Sequence, residues 1–225
     1  MGQISRTVQT SRYASEVTTI KDFGAVGDGV TDDAAAFNEA LAGAGTIYVP
    51  DGDYILESQI VIKANTNLIL SKNAKMLRAW AGTNGTRPDN ATIKNENALL
   101  ASQIAVDPAP TYPATWDENI HIQGGQWGHK DDDVVTYRGT HIGLIACRYS
   151  SLKSTQFNTQ RSEWCTTFWV ENFDIRDIQI NVAEGGADVS NDGIHVIGGK
   201  NITISDIRGG NDDDPIAIGP MWVPQ

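Results

Sequence analysis

Near its C-terminus the chain repeats itself: Asp192-Gly193-Ile194-His195-Val196 aligns with Asp214-Pro215-Ile216-Ala217-Ile218, 22 residues further on. Asn172-Phe173-Asp174-Ile175-Arg176-Asp177-Ile178 aligns in the same way with Asn201-Ile202-Thr203-Ile204-Ser205-Asp206-Ile207 at an offset of 29, and Asn119-Ile120-His121-Ile122 begins alike. Apolar residues alternate within each copy, which is the period of a strand. Strand units recurring at this length stack into a solenoid whose coils each add strands to parallel sheets. Unequal offsets then mean loops of unequal length. An antiparallel sandwich would accommodate the same strands, but it needs no residue-by-residue internal match. The expected fold is therefore all-β, a parallel β-helix over residues 17–225, behind an arm of residues 1–16 that has neither period.

The N-terminal half fits the same plan. Val17-Thr18-Thr19-Ile20 reads as a strand, followed by a turn-rich run to Gly29. Thr31 as N-cap with Asp32 and Asp33 in the first turn predicts a helix to residue 42. Phe37 and Leu41 give that helix one apolar stripe, which caps the open end of the solenoid. Short strands are predicted over 46–49, 54–56, 59–62 and 66–70. Residues 79–117, rich in Gly and Pro, read as one long irregular excursion, and Ser151 to Phe157 should precede Asn172 by a coil of about 21 residues.

In such a solenoid, residues one coil apart sit about 4.8 Å apart. Asp192 would then stack on Asp214 and Asn191 on Asp213. Like charges that close raise one pKa, or are held by a shared proton, water or cation. Strand parity turns Asp192 and Asp214 inward with Ile194 and Ile216, and turns Asp213 outward. A carboxylic acid beside a carboxylate pair is the acid and base set that glycoside hydrolysis requires, so Asp192, Asp213 and Asp214 are the candidate catalytic residues. His195 has outward parity beside Asp213, and Trp127 and Trp222 lie in turn-rich segments where a sugar would stack; these three are the candidate substrate-binding residues. Trp164 and Trp169 fall in strand-like sequence and read as packing residues. Asp131-Asp132-Asp133 would suit a hard cation but reads more simply as a solvated loop, and His121, His129 and His141 show no metal spacing. No metal site and no cofactor is expected.

A formal net charge of −11 argues against a nucleic-acid partner. The first 20 residues contain no apolar core of a signal peptide, and nothing approaches a membrane span. Cys147 and Cys165, the two cysteines, read as reduced thiols.

The run Asp22-Phe23-Gly24-Ala25-Val26-Gly27-Asp28-Gly29-Val30-Thr31-Asp32-Asp33, then Tyr48-Val49-Pro50-Asp51-Gly52-Asp53-Tyr54, resembles the opening of pectin-lyase-like right-handed β-helix proteins, among them many bacteriophage tailspikes. Asp192-Gly193-Ile194 with Asp213-Asp214-Pro215-Ile216-Ala217-Ile218 resembles the polygalacturonase-type branch, the family 28 glycoside hydrolases. The resemblance implies Asp213 as general acid and Asp192 with Asp214 as the pair that directs water, with inversion at the anomeric carbon. Ser190-Asn191-Asp192 stands where that family has Asn-Thr-Asp, and Pro215 where it often has Cys. The family's Gly-His-Gly turn and Arg-x-Lys pair would belong to later coils, which implies a fragment of a longer protein or a site completed by a partner chain. The resemblance further implies a polysaccharide substrate, a depolymerase of capsule or O-antigen, a homotrimer, and a place in the virion tail if the chain is phage-encoded; otherwise it would be cytoplasmic or exported without a signal peptide. A polysaccharide lyase is the nearest rival, with only Lys200 and Arg208 as bases between Asp192 and Asp214. A non-enzymatic carbohydrate-binding or fibre unit is the third reading.

Overall fold

The computed structural model describes residues 17–80, 90–96, 115–130, 139–159, 164–182, 192–210 and 213–219. Short strands come first: β1 (Asp28–Asp32), β2 (Gly45–Val49), β3 (Gly52–Leu56), β4 (Ile60–Ile62), β5 (Thr66–Leu70), β6 (Ala74–Arg78), β7 (Ala91–Asn95), β8 (Asp117–Glu118), β9 (Ile120–Gln123) and β10 (Gln126–His129). Three long ones follow, β11 (Thr140–Thr159), β12 (Trp164–Val182) and β13 (Ile194–Gly210), then β14 (Ile216–Ile218). Every pairing is parallel. The long strands bend twice, so each contributes to all three faces of a right-handed β-helix.

Each face stacks one inward residue per coil. One row runs Ile47, Leu68, Ile122, Leu152, Ile175 and Ile204. A second runs Tyr54, Met76, Trp127, Phe157 and Ile180, and a third Ile60, Ile93, Ile142, Thr166, Ile194 and Ile216. Fully burying each such side chain contributes about 1.5–3 kcal/mol, so the rows hold the coils in register. At one corner Asn65, Asn119, Asn172 and Asn201 repeat in the left-handed conformation, with φ of 60°, 58°, 49° and 55°. Their amides bond from coil to coil, Asn119 to Asn65 at 2.9 Å and Asn201 to Asn172 at 3.0 Å. This explains why the sequence repeats begin with Asn: it tolerates positive φ and its side chain caps the turn.

Helix α1 (Ala34–Leu41) covers the N-terminal end, with Phe37 edge-on to Tyr54 at 5.5 Å. Asn38 accepts from Val61 N–H at 2.9 Å and donates to the Gln59 carbonyl at 3.2 Å, tying the helix to β4. The helix begins later than expected, because Thr31 belongs to β1 and the Asp28 carboxylate takes its N–H at 2.8 Å. Asp32 and Asp33 are ties rather than first-turn charges. Asp32 accepts from Ala34 and Glu57 N–H, each at 3.0 Å, and Asp33 from Val26 N–H at 2.6 Å and Gly27 N–H at 3.0 Å. The segment expected as a strand at Val17 gives only a bridge at Thr19, then a 3-10 turn over Ile20–Phe23. Within the expected excursion, residues 91–95 are strand β7 in the wall of the solenoid, paired with β4 and β11. Leu152 pairs with Ile175, so that coil is 23 residues long rather than 21. The arm of residues 1–16 lies outside the described residues.

Candidate active site

Asp192 and Gly193 sit between two coils. The Asp192 carbonyl accepts from Cys165 N–H at 2.9 Å, and Gly193 N–H donates to the Asp214 carbonyl at 2.9 Å. Ile194 N–H then donates to the Pro215 carbonyl at 3.0 Å, and Ile194, His195 and Val196 pair with Ile216, Ala217 and Ile218. The 22-residue alignment is thus the register of the wall, and it brings Asp192, Asp213 and Asp214 together. One carboxylate oxygen from each lies within 4.8 Å of the others. Hydrogen bonds of about 2.7 Å on either side of a water span such a gap.

The three differ in setting. Asp192 is 6% exposed, whereas Asp213 and Asp214 are exposed. Inward parity does not bury Asp214 as it buries Asp192, and the neighbouring Ile216 and Ile218 are likewise exposed, at 39% and 75%. The Asp192 carboxylate is held by His195, whose Nδ1 lies 2.5 Å from its Oδ2. An ionised carboxylate only accepts, so in this bond Nδ1 is the donor. The His195 N–H meets Thr166 Oγ1 at 3.3 Å. His195 therefore belongs with the acids. Parity alone hid this bond, because residues 192 and 195 have opposite parity; the turn permitted by Gly193 was the available signal.

Trp127 takes no part in sugar stacking. It is 0% exposed and sits in the inward row between Met76 and Phe157, so its surface role is corrected to a core role. The glycines around it made a surface loop plausible, but they mark tight contact instead: a Cβ at Gly124 would lie 2.1 Å from the Leu70 carbonyl oxygen. Trp169 is buried, as are Cys147 and Cys165, which form no disulfide, and burial pushes the Cys147 thiol up to about 12. Trp222, Asn191 and Asp131-Asp132-Asp133 lie outside the described residues. Among the described residues the one cluster with the spacing to hold a cation is the Asp192, Asp213 and Asp214 set. No described helix is long and apolar enough to cross a membrane.

A family model described as "Rhamnogalacturonase A/epimerase, pectate lyase-like" matches residues 17–221. The preneck appendage protein of Bacillus phage PZA is 36% identical over 89 residues, which is 37% of this chain and 10% of that protein. Among solved structures, an iota-carrageenase complexed to iota-carrageenan fragments is similar with a TM-score of 0.59 and 18% identity, over 88% of this chain and 44% of that one. The Yersinia enterocolitica family 28 exopolygalacturonase is similar with a TM-score of 0.53 and 15% identity, over 90% of this chain and 50% of that one. The chain spans about a tenth of the length of the curated relatives it matches. At these identities the solved structures show the fold alone.

Proposed function

The chain belongs to the rhamnogalacturonase A/epimerase, pectate lyase-like family, and on that premise we propose that it carries the acid and base set of an inverting glycoside hydrolase acting on a polysaccharide. The observation that supports this reading most is the convergence of three carboxylates from two adjacent coils, one buried and two facing solvent. Exposed Asp213 protonates the leaving glycosidic oxygen. Asp192 and Asp214 take the proton of a water held between them as it attacks the anomeric carbon from the opposite face. The nearest oxygens of acid and base lie within 4.8 Å, closer than the roughly 6.5–9.5 Å usual for inverting pairs, so the product anomer is the measurement that decides the route. His195 holds Asp192 in orientation and keeps a buried carboxylate partnered. The family includes phage relatives, and we assign the chain to a virion-tail depolymerase that works as a homotrimer.

In the full-length parent protein, Asp213→Asn should remove most turnover while leaving oligosaccharide binding nearly intact, because it deletes a proton donor and little volume. NMR of the first-formed product anomer should show inversion. Wild-type hydrolysis by Asp213→Asn, or products carrying a 4,5-unsaturated bond, would overturn the hydrolase reading, and a retained anomer would overturn the inverting route. Light scattering that found only a dilute monomer would remove the trimer.

The oxygen spacing also suits a hard divalent cation, which takes clustered carboxylates as ligands. That favours a cation-assisted lyase or epimerase as the second reading. Treatment with a chelator separates the two: turnover by the hydrolase should be unchanged, whereas turnover that disappears and returns with calcium would select the second.

A further inference from the structure

The corner ladder contains one position that is not Asn. Tyr149 stands in register between Asn119 and Asn172, with φ of 55°. A bulky side chain in the left-handed region is an outlier that persists where something else favours it. Core packing does not, since Tyr149 is 50% exposed. Its surroundings are specific. The Arg148 guanidinium lies 5.5 Å from the centre of the Tyr149 ring and 5.8 Å from that of Trp116. Arg148 Nε donates to Glu118 Oε1 at 2.7 Å, and Glu118 and Glu171 flank Arg148 on the neighbouring strands.

We propose that Trp116, Arg148 and Tyr149 form a second carbohydrate-binding subsite, on a different corner of the solenoid from the three aspartates, that takes a neutral saccharide ring. The apolar face of a pyranose stacks on the half-exposed tyrosine, and the rigid aromatic costs little entropy to hold. Arg148 donates to ring hydroxyls, and Glu118 and Glu171 accept from them. Along this row Glu118, Arg148, Glu171 and Lys200 alternate in sign, so the four cancel and the corner suits a neutral ring rather than a uronate or sulfated one.

The subsite holds whether or not the aspartates hydrolyse anything, so its test uses the full chain with Asp213→Asn, which leaves the probe uncleaved. The probe is a printed array of neutral and acidic oligosaccharides. This parent should bind at least one neutral oligosaccharide. Adding Tyr149→Asn should weaken that binding about tenfold while raising the thermal midpoint, because Asn restores the ladder, and Tyr149→Phe should keep the binding. Loss of binding together with a gain in stability separates a ligand contact from a structural one. The proposal is overturned if no neutral oligosaccharide binds, if only acidic ones do, or if Tyr149→Asn binds unchanged.

Discussion

Gly193 is fixed by its neighbours: a Cβ there would lie 2.4 Å from the Pro215 carbonyl oxygen and 2.6 Å from Ile180 Cδ1. Gly193→Ala should therefore push β14 away from β13 and cost about 1–3 kcal/mol, measured by urea unfolding. An unchanged midpoint would mean the coil spacing is softer than the packing implies. Two residues on, His195→Gln removes the imidazole that holds the buried Asp192 carboxylate. The expected result is a fall in kcat of about tenfold to a hundredfold, the cost of an imperfectly partnered buried acid, with KM little changed. A variant that raised KM alone would place His195 on the substrate instead. At this scale parity was a good guide for Asp192, whose burial it anticipated, and it points the right way for Trp127 as well, against the turn composition around it. That tryptophan has the inward parity of the strand, but flanking glycines suggested exposure when their role was to let one coil lie against the next.

The corner ladder explains what could be read at the level of elements. The offset of 29 was visible because Asn172 and Asp177 recur as Asn201 and Asp206 where the backbone needs positive φ, and that of 22 because Asp192 and Ile194 recur as Asp214 and Ile216 along the wall. The offset of 23 between β11 and β12 was misjudged because Tyr149 and Ser154 stand where the next coil has Asn172 and Asp177, leaving only a loose match. Strand β6 went unrecognised for another reason: Lys75 and Arg78 blur its alternation, although Lys75 pairs outward with Asp53 at 3.0 Å and Arg78 is buried against Trp80. Asn172→Ala should cost about 1–2 kcal/mol, since alanine gains nothing in the left-handed conformation and the amide bond to Asn201 is lost. Thermal unfolding measures this, and a cost near zero would show that the ladder amides do not bear on stability.

For the molecule as a whole, the buried histidine makes stability depend on pH. His141 is fully buried, and burial, with His129 and Arg78 nearby, holds its pKa well below the model-compound value of 6.5. Burial and Lys153 lower the half-buried His121 in the same direction. A folded pKa below the unfolded one means that the unfolded chain takes up the proton first. This stability is complete above about pH 6.5 and is lost as the pH falls below it, by up to about 1.4 kcal/mol per pH unit for each histidine. Urea midpoints between pH 7.5 and 5 should fall more steeply in the wild type than in His141→Gln, by about one proton; equal slopes would refute the assignment.

The unequal coils also set an order of assembly. Gly45 pairs with Thr66 and Ile194 with Ile216, so most of the wall closes over about twenty to thirty residues, but Thr66 must find Ile120 and Lys75 must find Gln126, more than fifty residues away. The extra closure entropy is small, about 0.6 kcal/mol per doubling of length. The search, however, is sequential. The helix-capped coils at one end and the β11 to β13 coils at the other can each zip on short closures, and the long coil between them is then where the two growing fronts meet.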